Sequence, residues 1–113
     1  MYRDSRTLDE RCSESKIMRQ RYPDRVPVII EPKCKRTPII DKRKYMAPIN
    51  LSFAQLFYVV RKRLQIGPEQ GLFFFMDNNT IARANASVSD VYNEHANEDG
   101  FLYVKYSLEN TFG

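Results

Sequence analysis

Cys12, Cys34 and His95 are the residues best equipped for chemistry, since a thiolate beside an imidazole makes a nucleophile and the same side chains hold zinc. Their spacing argues against both uses. The cysteines lie 22 positions apart with no C-x-x-C pair, and the sole histidine is far from either. Two reduced thiols and a surface histidine are expected, with no metal site and no cofactor. G-x-S-x-G, a P-loop and paired phosphate-cradling glycines are also missing, so no catalytic residue is assigned and the chain is not expected to be an enzyme.

Two other features have more to offer. The chain ends on Gly113, a few polar residues after the aromatic-rich run "GFLYVKYS". Lys33, Lys35, Arg36, Lys42, Arg43 and Lys44 cluster within twelve residues, next to Tyr45. Net charge is +4, but residues 26–66 hold nine basic and two acidic side chains while residues 67–113 hold two and seven. That split predicts a basic face able to meet acidic peptides, phosphate backbones or anionic lipid. No RNP-type stacking signature accompanies the cations, and "KYMA" alternates like a strand, so a charged rim beside an apolar groove fits at least as well as nucleic-acid binding. An edge strand there would leave free N–H and C=O groups for an extended peptide.

The elements that must position these residues follow from local patterns. At 113 residues, 42% of them hydrophobic, the chain is long enough for one ordered domain and one core. Its opening "MYRDSR" is charged with no apolar stretch behind it, which predicts neither signal peptide nor membrane span and a place in the cytosol or nucleus. Thr7 and Glu10 form a T-x-x-E capping box opening one helix to Tyr22, or two short ones broken near Ser13. Its apolar residues are too sparse for a core helix.

"VPVIIE" reads as a strand, with Pro27 arguing for an edge or a strand start, and "KRKYMA" as a second strand ended by Pro48. Phe53, Leu56, Phe57, Val60 and Leu64 fall on one face of a helix capped by Ser52 and closed by Gly67 and Pro68. "GLFFFM" reads as a buried strand, "DNN" as a turn and "TIA" as a brief partner strand. A short helix starting at Ser87 or Ser89 and a final strand, "GFLYVKYS", complete the set. Strand, strand, helix, strand, weak strand, short helix, strand is the order of an α+β, ubiquitin-like β-grasp.

The blocks "YPDRVPVIIE", "DKRKYMAP", "LFYVVRKRLQI", "LFFFMDNN" and "EDGFLYVKYS", with Phe112-Gly113 at the end, resemble the ubiquitin-like modifiers of autophagy, the GABA-A-receptor-associated protein and microtubule-associated light-chain family. The resemblance covers nearly the whole chain from Thr7 onward. It implies a helical extension over residues 1–25 with two additional N-terminal helices, a core over 26–107 and a flexible conjugation tail over 108–113. It implies that Gly113 is activated by ubiquitin-like activating and conjugating enzymes and joined to phosphatidylethanolamine, with a delipidating cysteine protease to reverse the step. The expected location is cytoplasmic, and on the autophagosome membrane once lipidated.

The same resemblance implies two pockets for receptors bearing an aromatic-x-x-aliphatic motif. Glu14, Met18, Pro27, Ile29, Lys44, Met46 and Phe101 would take the aromatic residue, and Tyr45, Ala47, Pro48, Leu51, Leu56 and Val59 the aliphatic one. Lys42, Lys44 and Arg63 would favour acidic residues flanking the motif. The family usually has a larger aliphatic residue where this chain has Ala47, and often an aromatic where it has Leu56, which would widen the second pocket. Cys34 and Pro38 make the loop from Pro32 to Ile40 atypical. Tubulin is a further partner to consider; an unconjugated β-grasp adaptor for peptides or tubulin is the alternative reading, followed by a small nucleic-acid-binding domain, although no nucleic-acid partner is expected.

Overall fold

A computed structural model describes residues 1–34, 36–67 and 69–108 of the chain. Its elements run α1 (Tyr2–Ser5), α2 (Leu8–Arg21), β1 (Arg25–Pro32), β2 (Lys44–Pro48), α3 (Phe53–Leu64), β3 (Leu72–Phe75), α4 (Val88–His95) and β4 (Leu102–Leu108). The four strands form one mixed sheet in the order β2-β1-β4-β3. β1 and β4 are parallel neighbours, with Val28 opposite Leu102 and Pro32 opposite Tyr106, and each has an antiparallel outer partner.

Both faces of the sheet are covered, and residue alternation assigns each side chain to one of them. Val28, Ile30, Leu102, Val104 and Tyr106 face α3 and belong to the main core with Phe53, Leu56, Val60 and Phe74. Ile29, Phe101 and Tyr103 face the other way and form a smaller core with Tyr2 of α1, against which Met18 of α2 packs. Burial on two sides explains why β1 reads as an unbroken apolar run.

α3 buries the face that its spacing predicts. Phe53, Leu56 and Val60 are buried, and Phe57 and Leu64 pack partly buried against the same core. Phe57 and Phe53 both meet the Phe74 ring edge-on, at 4.3 and 6.2 Å between centroids. Ser52 caps the helix, accepting from the Gln55 N–H while the Gln55 side chain accepts from the Ser52 N–H, and Gln65 ends it at φ 58°.

α2 has no such apolar face, as its sparse hydrophobic residues predict, and Ser15 is its buried residue. It is attached through polar groups instead. Arg11 donates to the buried carboxylate of Asp99 at 2.5 Å, which also accepts from the Tyr103 hydroxyl and the Phe101 N–H, while the Ser15 hydroxyl donates to the Asp99 carbonyl. A buried carboxylate is tolerated when paired and hydrogen-bonded in this way.

Several expectations require correction. The helix starting after Thr7 runs through Ser13 without a break, because the predicted capping box is present and no residue in the run is a breaker; the additional helix is Tyr2–Ser5 instead. Pro27 lies in an interior strand, not an edge. It pairs with Met46 on one side and sits one residue ahead of Val28, where pairing with β4 begins, so the strand-start reading holds on that side. β3 is the edge strand opposite β2 and alternates in burial, leaving Phe73 exposed. "TIA" contributes a single bridge between Ile81 and Phe75 instead of a strand. Ser87 is the cap of α4. Leu108, placed in the tail by the sequence, is buried in β4 opposite Leu72. The rest of the tail, Gly113 included, lies outside the described residues, as do Lys35 and Pro68.

Truncating a core ring should separate the α3 faces clearly. Phe53→Ala is expected to cost about 3–5 kcal/mol, the range for deleting a fully buried aromatic. Tyr58→Ala, on the exposed face of the same helix, should change stability by no more than about 0.5 kcal/mol. Urea denaturation of the two variants measures both values, and similar midpoints would mean that α3 packs by another face.

Candidate functional site

β2 has a neighbour on one side only, so the candidate groove begins with its backbone. The Ile30 N–H donates to the Arg43 carbonyl at 2.7 Å, and antiparallel alternation from that bond turns Tyr45 and Ala47 toward β1. Lys44 and Met46 therefore direct their backbone groups to the open side. The Met46 carbonyl is met there by the Arg25 guanidinium at 3.3 Å.

The side chains of β2 divide the expected pocket residues between the two faces of the sheet. Lys44, Met46 and Pro48 are half-buried, while Tyr45 and Ala47 are buried in the main core with Leu56. On the α2 face, Met18, Tyr22, Arg25, Lys42, Lys44 and Met46 line an open depression of about 390 Å³. Ile29 and Phe101 are fully buried in the smaller core on this face, and Pro27 is buried in β1. Tyr2 packs edge-on against Phe101 at 5.4 Å between centroids.

Glu14 stands at the α1 end of this region. It accepts from the Tyr2 hydroxyl at 2.6 Å, is ion-paired with Lys44, and has Arg6 at 3.9 Å. Partial burial works against its ionisation, but the hydrogen bonds from Lys44 and Tyr2 outweigh that and hold its carboxyl below the usual range.

On the α3 face, Leu51 is half-buried, Val59 is exposed, and Tyr45, Ala47 and Leu56 lie below the surface. Burial pushes the Tyr45 phenol up to about 12, with the Arg63 charge opposing the shift and Asp41 adding to it. Lys42 Nζ lies 5.0 Å from the Tyr45 ring centroid and Arg63 Cζ 6.0 Å. Lys42, Lys44 and Arg63, the three cations expected to meet acidic flanks, thus border this strand from both sides.

Comparison with known proteins identifies the architecture. A family model described as "Autophagy protein Atg8 ubiquitin like" matches residues 10–113. The chain belongs to the Atg8 family of ubiquitin-like autophagy proteins. It is 48% identical to Autophagy-related protein 8 of Mycosarcoma maydis over 99% of this chain and 95% of that one. It is likewise 48% identical to Autophagy-related protein 8a of Arabidopsis thaliana, over 99% and 92% of the two chains. The crystal structure of Trypanosoma brucei ATG8 superimposes with a TM-score of 0.89 at 37% identity, covering 96% of this chain and 93% of that one.

As an Atg8-family chain, it has a β-grasp sheet preceded by two helices, and the matched region contains the whole β2 margin. Sequence reasoning missed Tyr22 and Arg25 as lining residues of the depression. Tyr22 ends an otherwise polar helix and is 44% exposed, so an aromatic with no core to enter was the available signal. It also missed Tyr2, whose partner Glu31 is 29 positions away and invisible to local pattern. His95 is half-buried with Glu94 at 3.7 Å, and both cysteines are free.

The depressed Glu14 carboxyl gives this region of the fold an acid limit. Because its folded value lies below the ordinary 4.5, its stabilising contribution is complete above that pH and is lost as pH falls through the folded value. Urea midpoints of wild type and Glu14→Gln should differ at pH 6 and draw together as pH falls below 4.5. A constant difference down to pH 3 would mean that the Glu14 contacts with Lys44 and Tyr2 do not stabilise the fold.

Proposed function

We propose that this chain is a modifier rather than a catalyst, joined through Gly113 to phosphatidylethanolamine on autophagosomal membranes, where it recruits receptors and cargo by an aromatic-x-x-aliphatic motif. The observation that carries the receptor half is the position of β2 at the sheet edge with apolar surface on both of its faces. An added strand would bond to the outward backbone groups of Lys44 and Met46, the β-augmentation mode. Residues three apart on that strand project to opposite faces, because side chains alternate with period two, and they lie about 10 Å from each other. The aromatic residue then meets Met18, Lys44 and Met46 above Ile29 and Phe101. The aliphatic residue meets Leu51, Val59 and Pro48 above Tyr45, Ala47 and Leu56.

Magnitudes place the interaction in the moderate range. Burying an aromatic side chain of about 150–250 Å² yields roughly 4–6 kcal/mol gross at 25 cal/mol per Å². Ordering a flexible peptide consumes much of this, so the expected Kd is of order micromolar. Lys42, Lys44 and Arg63 add an attraction for acidic flanks that weakens with salt.

The conjugation half rests on Atg8-family membership and on the chemistry of glycine. A glycyl thioester has no Cβ to hinder an approaching amine or to restrict the backbone in a narrow enzyme channel. Five residues beyond β4 reach at most about 18 Å, far enough to enter a partner enzyme's cleft. Attack of the lipid amine on the thioester carbonyl forms an amide and releases the enzyme's thiol, and the lipid's tails then supply about 0.8 kcal/mol for each buried CH₂, which anchors a chain whose described helices include none long and apolar enough to cross a membrane. Activating and conjugating enzymes and a delipidating cysteine protease are the partners this cycle requires.

Two measurements test the proposal. Gly113→Ala should block transfer to phosphatidylethanolamine in a reconstituted conjugation reaction, and normal lipidation of that variant would remove the conjugation claim. Met46→Ala and Val59→Ser alter one half-buried and one exposed side chain on the two faces of β2, so both should fold. Each is expected to weaken binding of an acidic W-x-x-L peptide by about tenfold, equivalent to 1.4 kcal/mol. Unchanged affinity in both would place the peptide elsewhere.

A further inference from the structure

Two of the three cations that border the groove are already engaged by carboxylates of the chain itself. Lys44 is paired with Glu14, and Arg63 with Asp41, whose two carboxylate oxygens both lie 3.3 Å from Arg63 Nη1. For Lys42 no carboxylate lies within ion-pair distance among the described residues. An acidic residue arriving beside a bound peptide therefore competes with an internal anion at Lys44 and at Arg63.

The two internal anions differ in how firmly they are held. Glu14 is half-buried and also accepts from the Tyr2 hydroxyl, so it is tied into the smaller core and cannot leave without disturbing α1. Asp41 has 68% of its side chain exposed, and Arg63 is its one partner among the described residues. Both of its oxygens address a single guanidinium nitrogen, so the second fork of Arg63 is unused by this carboxylate. A bidentate pairing with a ligand would be the stronger arrangement.

Beneath this pair lies Tyr45, more than nine-tenths buried, with a hydroxyl that has no hydrogen-bond partner. A buried polar atom left unpaired in a native fold calls for an explanation. The cations over the Tyr45 ring are Lys42 and Arg63, at 5.0 and 6.0 Å from the centroid. Lys42 and Arg63 thus place two cations on this side of β2, with Asp41 as the carboxylate that meets Arg63.

We propose that Asp41 is an internal competitor for acidic ligands, occupying in the free chain the Arg63 position that a carboxylate flanking a bound peptide takes. This rests on the groove reading above and adds a residue that sets its preference. Displacement of Asp41 leaves both forks of Arg63 to the ligand's carboxylate, on the side of β2 where Lys42 lies over the Tyr45 ring. The chain's selectivity for acidic over neutral flanks is thereby held below what its cations alone would produce.

Calorimetric titration of two peptides with the same W-x-x-L core, one flanked by Glu and one by Gln, separates the possibilities. Asp41→Asn keeps the size of the side chain, and its exposure means that the fold should survive. It is expected to tighten binding of the Glu-flanked peptide by about two- to fivefold, the range spanned by exposed ion pairs, and to leave the Gln-flanked peptide unchanged. In an Arg63→Gln background the same substitution should have no effect. An equal gain in that background would show that Asp41 acts only through its general field, and no gain with the Glu-flanked peptide in wild-type background would show that it does not compete; either result overturns the proposal. Failure of wild type to bind the Gln-flanked peptide would instead sink the groove reading itself.

Discussion

A parallel strand pair needs a long connection between its strands and cover on both faces, and β1 with β4 is such a pair at the centre of this sheet. Both requirements shape the molecule. The connection from β1 to β4 contains β2, α3, β3 and α4, so α3 crosses one face and packs Phe53, Leu56 and Val60 against it. The opposite face is left to whatever precedes β1, and α1 and α2 fill it with Tyr2 and Met18. β2 is pushed to the margin, bonded on one side and flanked by a different apolar surface on each face. The candidate groove is a consequence of that register.

The two faces are held by different physics. α3 is held by apolar burial of Phe53, Leu56 and Val60, which is non-directional and accommodates small shifts. α2 is held by directional polar contacts at Asp99 and Glu14, where loss of one partner leaves another buried group unsatisfied. The α2 side of the candidate groove is walled by hydrogen bonds and ion pairs, while its α3 side is the edge of a packed core. The first side is open as a depression; the second presents Leu51 and Val59 over buried residues.

Charge adds a second layer. The basic excess of residues 26–66 gathers in part around β2, but its cations are partly neutralised at short range. Glu31, buried in β1, accepts from the Tyr2 N–H and lies 3.5 Å from Arg43. Arg61 donates to the carbonyls of Gly67 and Gln70, closing the end of α3 rather than facing a ligand. The run of positive residues is therefore a mixture of structural ties and available charge, and its net value overstates what a ligand would meet.

The sequence by itself determined whatever depends on near neighbours. Thr7 with Glu10 and Ser52 with the periodic residues after it marked helix starts, alternation marked β2, and several matching blocks in order marked the family. Tertiary structure alone decided which strand lies beside which, so Pro27 proved interior and Phe73 exposed. It also decided which charges meet: Asp41 and Arg63 are 22 positions apart, and Glu14 and Lys44 are 30 apart. The physical reason is range. Capping and periodic burial act within a few residues of chain, whereas ion pairing, strand order and the sharing of a core require distant segments to be folded together first.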